Sequence, residues 1–275
     1  MANSGPALNR FEENFNDSGQ MPKAVRGWLC GTVLLLAGVG AHAQGTLEAR
    51  LSIDRPGRVE AGTYLAGDRI SFAIDSAGAN YLLSFSGSPE TFVLHADKAP
   101  LGGRVLKYDS SETALQVSGW GGLTLYTDSD PAGLPAIRTG GFATPPVAPV
   151  SLGEMRRAAK YDADYFASLW KIRVALSADW SALAANAAAR ATALDAMENV
   201  ARGIERFCRS AQGRAAVARR VNAVKLGIAG RPTVTLNGKT LFVTFDPDLG
   251  YEGRDSSRAI AVALGSLLSV HRNQS

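Results

Sequence analysis

From about Gly45 to Arg138, apolar residues recur at alternate positions, and turn-forming residues break the pattern at short intervals. Alternation puts successive side chains on opposite faces of a strand, so this stretch reads as antiparallel β-structure. Ile70-Ser71-Phe72-Ala73-Ile74 is the clearest run, and Tyr81 to Phe85, Thr91 to Leu94, Arg104 to Tyr108, Ala114 to Val117 and Leu123 to Thr127 continue it. Ala77-Gly78-Ala79-Asn80, Gly87-Ser88-Pro89 and Gly102-Gly103 supply turns. Residues 44–138 are therefore expected to form a small antiparallel β-sandwich or partly closed barrel. Its core would hold Phe72, Ile74, Leu83, Phe85, Val93, Val105, Leu115 and Leu123.

Residues 139–150 include Pro145, Pro146 and Pro149, which cannot sustain a ladder or a helix, and read as a linker or a strap. Residues 151–275 then turn rich in Ala, Arg and Leu, as helices require. A first helix is expected over about Gly153 to Val174. Ser177 is the N-cap candidate of a second, longer one with Met197, Val200, Ile204, Phe207 and Cys208 on one face. Arg202, Arg206 and Arg209 fall opposite and are expected to be exposed. A shorter basic helix past Gly213 leads to a hairpin over residues 233–245, where Asn237-Gly238 between alternating apolar runs signals a two-residue turn. Asp255 or Ser256 then caps a final helix from about Ser257 to His271. The fold class is α+β.

Residues 21–43 have the order of a secretory signal peptide: Lys23 and Arg26, an apolar run from Trp28 to Val39, and Ala41-His42-Ala43 as the cleavage motif. Residues 1–20, acidic ahead of the basic patch, read as an extension from too early a start. The apolar run is shorter than the roughly 20 residues that span a bilayer, so no transmembrane segment is expected after cleavage. An uncleaved signal anchor is the alternative. The expected location is the periplasm or the cell exterior.

With Cys30 in the signal, Cys208 stands alone, and a lone cysteine among helical apolar positions is usually a small buried hydrophobe. The three basic and three acidic residues of 1–43 cancel, so residues 44–275 keep the chain's net charge of +4. That mild charge argues against nucleic acid as a partner. It is unevenly spread, because Ala201 to Lys225 carries seven cations and one acid, Glu205. Such a face suits an anionic envelope component or an acidic protein, whereas the plainer reading is a solvated surface balanced by Asp162, Asp164 and Glu198.

Two stretches, Phe85-Ser86-Gly87-Ser88-Pro89-Glu90-Thr91-Phe92-Val93-Leu94 and Val117-Ser118-Gly119-Trp120-Gly121-Gly122-Leu123-Thr124-Leu125-Tyr126-Thr127, together with Pro131, Gly133 and Ala136, carry a family resemblance. The chain resembles an uncharacterised family of exported Gram-negative bacterial proteins, a domain of unknown function. The resemblance implies export and brings no activity or functional residue with it.

Chemistry-bearing motifs are few. His95 and His271 are the only histidines after residue 43, and no H-E-x-x-H or cysteine pair occurs, so no metal site is expected. No G-x-S-x-G elbow, phosphate-binding loop or dinucleotide fingerprint is present, and no cofactor is implied. Asp246-Pro247-Asp248-Leu249-Gly250 reads as a turn and helix cap before a calcium loop. Gly119-Trp120-Gly121-Gly122 reads as a tight bend with Trp120 packed across it, although an exposed Trp120 could stack on a sugar ring or a partner's side chain. Ser168-Leu169-Trp170-Lys171 is an S-x-x-K motif, in which the amine can activate the hydroxyl for acyl transfer. It lacks a following S-x-N, and Lys239-Thr240 is followed by Leu241 where glycine is expected. The sequence thus points first to a non-catalytic binding or envelope-associated protein using Arg202, Arg206, Arg209 and Trp120. The alternative is a serine–lysine acyl hydrolase built on Ser168 and Lys171.

Overall fold

The computed structural model describes residues 59–145 and 148–269. Residues 21–43, read above as a signal peptide and including Cys30, residues 1–20 and His271 lie outside those residues. Eight strands, β1 (Gly62–Ala66), β2 (Ile70–Ala77), β3 (Asn80–Phe85), β4 (Thr91–Lys98), β5 (Arg104–Tyr108), β6 (Thr113–Val117), β7 (Leu123–Leu125) and β8 (Leu134–Gly140), form an antiparallel meander. Strand β8 pairs back on β1, so the barrel is fully closed. The runs legible in the sequence are β2 to β7. The two closing strands were hidden, because β1 opens on Gly62 and β8 contains Pro135 and ends at Gly140, residues that disfavour strands.

An eight-stranded barrel is about wide enough for side chains to fill. Here Tyr64, Phe72, Ile74, Leu83, Phe92, Leu94, Leu106, Tyr108, Leu115 and Leu125 fill it. In β5 the expected phase is off by one: Leu106 and Tyr108 are buried and Val105 is not. Three apolar residues in five make the phase ambiguous, and the pairing with β6 shifts between Leu106 and Lys107, which decides it. Phe85 is likewise only half-buried.

A meander sends its turns to opposite ends. Residues 67–69, 86–90, 109–112 and 126–133 gather at one end, here the mouth. Residues 78–79, 99–103 and 118–122 gather at the other, the foot, where Glu60 leads into β1. The segment after Gly140 folds onto the barrel side: Thr144 donates from its N–H and its hydroxyl to Asp75 Oδ2 of β2, each at 2.8 Å. Those bonds hold the Asp75 carboxyl below its usual value.

The rest is a mixed sheet covered by helices: α1 (Leu152–Trp170), β9 (Ala175–Ala178), α2 (Trp180–Ala185), α3 (Ala189–Phe207), α4 (Ala211–Arg220), β10 (Ala223–Ile228), β11 (Thr233–Asn237), β12 (Thr240–Phe245) and α5 (Ser257–Ser269). The sheet order is β11-β12-β10-β9, with β10 parallel to both β9 and β12. Sequence reading missed this parallel core. Ser177 is not a helix cap; it sits in β9 and donates to the Val224 carbonyl at 3.0 Å. Asp179 caps the short α2 instead, and the long helix α3 begins only at Ala189. Strands β9 and β10 are four and six residues long, too short for a period of two to be told from one turn of a helical face, although β10 buries Val224 and Leu226 and exposes Lys225.

The expected hairpin is present, but Asn237 pairs with Thr240, so the turn residues are Gly238 and Lys239. Only Gly238 has positive φ, at 59°, the pattern of a turn with glycine at its first central position. The second core holds Met155, Phe166, Leu183, Met197, Val200, Ile204, Cys208, Phe245, Ile260 and Leu264.

Candidate functional site

Helix α3 has two neighbours. Its apolar stripe packs on the second core and on α5, and its opposite face, together with the start of α5, meets the barrel mouth. Mouth carboxylates cap α5 from outside the helix. Glu90 accepts from Ser257 N–H (2.8 Å) and Ser257 Oγ (2.7 Å), and Asp109 accepts from Ser256 N–H (2.7 Å) and Ser256 Oγ (2.6 Å). Anionic groups at a helix N-terminus satisfy its orphan donors and oppose its dipole. Ser256 Oγ in turn accepts from Arg258 and Ala259 N–H, so Ser256 is the N-cap. Arg254, almost wholly buried, donates to the Thr91 carbonyl (2.7 Å) and pairs with Asp195.

Beside this clasp opens a cleft of about 380 Å³. It is lined by Ile70, Phe85, Phe92 and Tyr108, by the hydroxyl residues Ser88, Thr127 and Ser129, and by Arg206, Arg209, Arg258, Glu90 and Asp128. Asp128 serves two cations at once, taking Arg206 Nη1 and Arg258 Nη2, each at 2.5 Å. Burial alone would raise its pKa; the charges and hydrogen bonds of Arg258 and Arg206 outweigh that and hold it lowered. Arg258 also reaches Glu112 at 2.5 Å, and its guanidinium lies 4.4 Å from the centre of the Tyr108 ring. Burial pushes the Tyr108 hydroxyl up to about 12. Arg206 Nε is buried with no hydrogen-bond partner, and Arg209 is exposed with no carboxylate partner among the described residues.

This geometry corrects the sequence reading of the basic face. Arg202 and Arg206 are not free on an outer surface. Arg202 is half-buried on Glu198 (2.5 Å) and on Asn199 Oδ1 (2.7 Å), away from the cleft, and Arg206 points into the barrel mouth. A helical wheel gives the face opposite the stripe, not that a second layer lies against it. Other cations of the run close helix ends: Arg214 donates to the Cys208 and Arg209 carbonyls, and Arg220 to those of Leu267 and Leu268. Cys208 is buried, and burial pushes its thiol up to about 11.

The remaining candidates lie apart. Ser168 Oγ donates to the Tyr165 carbonyl (2.9 Å), while Lys171, the left-handed residue that ends α1, donates from Nζ to the Ser168 carbonyl (3.0 Å). Amine and hydroxyl are both turned to backbone oxygens, not to each other. Trp120 is not packed across its bend; it is 93% exposed, at the foot of the barrel. Asp246 caps the turn at Pro247–Gly253 by accepting from Asp248 N–H (3.0 Å). Among the described residues no three His, Cys, Asp or Glu side chains are grouped to hold a metal ion, and no helix is long and apolar enough to cross a membrane.

Sequence reasoning missed Arg258, Asp128, Glu90 and Asp109. One signal was available: Arg258 is a cation in the first turn of a helix, where the dipole disfavours it, so a fixed carboxylate partner was to be sought.

Next to the clasp, burial raises Asp255 to about 6, with the Asp109 charge adding to it. A carboxyl raised in the folded state contributes stability that is complete below its unfolded pKa near 4 and is lost as pH rises through 6. Asp255→Asn is therefore expected to stabilise the protein by about 1–2 kcal/mol at pH 7.5 and to leave it unchanged near pH 4. Urea denaturation at the two pH values measures this.

A family model described as a domain of unknown function, DUF4908, matches residues 46–264. No curated protein and no solved structure matches the chain.

Proposed function

The chain belongs to the DUF4908 family, and on that premise we propose that it is an exported, non-catalytic binding protein whose mouth cleft takes a small anion bearing an aromatic or apolar group. The observation that carries the reading is Arg209: Arg206 and Arg258 are paired with Asp128, and Arg258 with Glu112 as well, whereas Arg209, exposed at the cleft, has no carboxylate partner among the described residues. An arginine in that position favours a phosphate or carboxylate, with which guanidinium makes two parallel bonds. Phe85, Phe92 and Tyr108 offer a surface for the apolar part, and about 380 Å³ lies within the range of small-molecule sites. Export to the periplasm or the cell exterior of a Gram-negative cell is supported by the signal-like order of residues 21–43.

Calorimetric titration with phenyl phosphate tests the binding reading, with inorganic phosphate and benzyl alcohol as the two half-ligands. Phenyl phosphate is expected to bind more tightly than either half, and Arg209→Ala to weaken it by about tenfold, near 1.4 kcal/mol. No heat with phenyl phosphate, or equal affinity in the Arg209→Ala protein, contradicts the reading. The acyl-hydrolase alternative predicts labelling by a fluorescent penicillin or fluorophosphonate that disappears in Ser168→Ala. The side-chain directions of Ser168 and Lys171 favour no labelling in either protein.

A further inference from the structure

We propose that the foot of the barrel is a docking tip for an anionic lipid surface, with Leu101 and Trp120 entering the interface and Lys98 and Arg104 meeting the head groups. Leu101 is 89% exposed and Trp120 93% exposed, and it is their standing together, as one apolar patch, that marks a contact surface. They do not stand on separate loops. A Cβ at Gly119 would collide with the Leu101 carbonyl, and one at Gly103 would lie 2.6 Å from the Val117 carbonyl, so the loops at 99–103 and 118–122 are pressed together at one tip. Leu101 is held at φ 58°, a left-handed conformation that a branched apolar side chain disfavours.

The charge around the tip selects the partner. Lys98 and Arg104 are directly opposite each other on β4 and β5, and like charges in that relation destabilise a sheet. Neither forms an ion pair among the described residues. The neighbouring Asp97 is taken by Lys107 at 2.8 Å, and at the same end Glu60 faces Arg138 at 3.5 Å, while Asp75 accepts from Thr144. Two unneutralised cations beside an exposed tryptophan and leucine match the head-group and interfacial layers of an anionic bilayer. The helical layer and the arginine cleft sit at the opposite end, which makes this site independent of the one proposed above.

Sedimentation of the full-chain protein with phosphatidylglycerol vesicles and with phosphatidylcholine vesicles tests the proposal. The native protein is expected to favour the anionic vesicles. Trp120→Ala and Leu101→Gly are each expected to lower that partition by about tenfold or more, and the Lys98→Glu, Arg104→Glu pair to remove the lipid preference. Leu101→Gly relieves the positive φ and so keeps the fold intact for the comparison. The N-terminal segment is the same in every variant, so a difference between them belongs to the tip. Equal partition on both lipids, partition unchanged in the tip variants, or loss of self-association in those variants without loss of lipid binding would each overturn the proposal.

Discussion

Glu90→Ala is expected to destabilise the protein by about 3–4 kcal/mol, because it strands two buried donors at once, each costing on the order of 1–3 kcal/mol. Those donors, Ser257 N–H and Oγ, lie at the start of α5, where Ser257 and Glu90 are both buried. Glu90→Gln keeps one acceptor oxygen and is expected to lose roughly half as much. The corresponding drop in melting temperature is roughly 6–16 °C for a chain of this size. The effect should also reach the cleft, because Arg258 is one residue beyond Ser257 and its aim at Asp128 depends on where α5 begins. Urea denaturation followed by Trp fluorescence measures the first effect, and titration with phenyl phosphate the second.

Gly203→Leu is expected to cost about 3 kcal/mol or more, although glycine within a helix normally gains about 1 kcal/mol on replacement by a better helix former. A Cβ at residue 203 would lie 2.6 Å from Ile260 Cγ2 and 3.1 Å from the Ser257 carbonyl. Helix α5 cannot move aside to admit it, because Ser256 and Ser257 are tied to Asp109 and Glu90 of the barrel. Overpacking and clasp therefore act on the same helix, and the Glu90→Ala, Gly203→Leu double variant should lose less than the two single losses added together. Strict additivity would mean that α5 yields without straining the clasp.

Much of the fold was legible wherever one rule governed a segment. The runs of β2 and β3 place Phe72, Ile74 and Leu83 in the barrel core as expected, in β4 the core takes Phe92 and Leu94 in place of Val93, and the final helix shows its cap at Ser256 and its stripe at Ile260, Leu264 and Leu268. Legibility failed where an element was short or a residue answered to two neighbours. Strands β9 and β10 are only four and six residues long, so the alternation of β10, with Val224 and Leu226 buried and Lys225 exposed, covers too few residues to stand out. Arg206 lies opposite an apolar stripe and yet faces protein, because the barrel mouth covers that side of α3. Of the site, only Arg206 and Arg209 could be named in advance. Glu90, Asp109 and Asp128 stand in turns and look like ordinary turn residues until α5 arrives from more than a hundred residues away in sequence.

Ligand recognition at the three-arginine cleft is tested most directly by nitrogen-15 NMR of the arginine side chains during titration with phenyl phosphate. The Nε–H signals of Arg206, Arg209 and Arg258 are expected to shift together and saturate along one binding curve, with those of Arg214 and Arg220 unmoved. Shifts confined to Arg214, Arg219 or Arg220, or no shift at saturating phenyl phosphate, would place anion binding elsewhere or deny it.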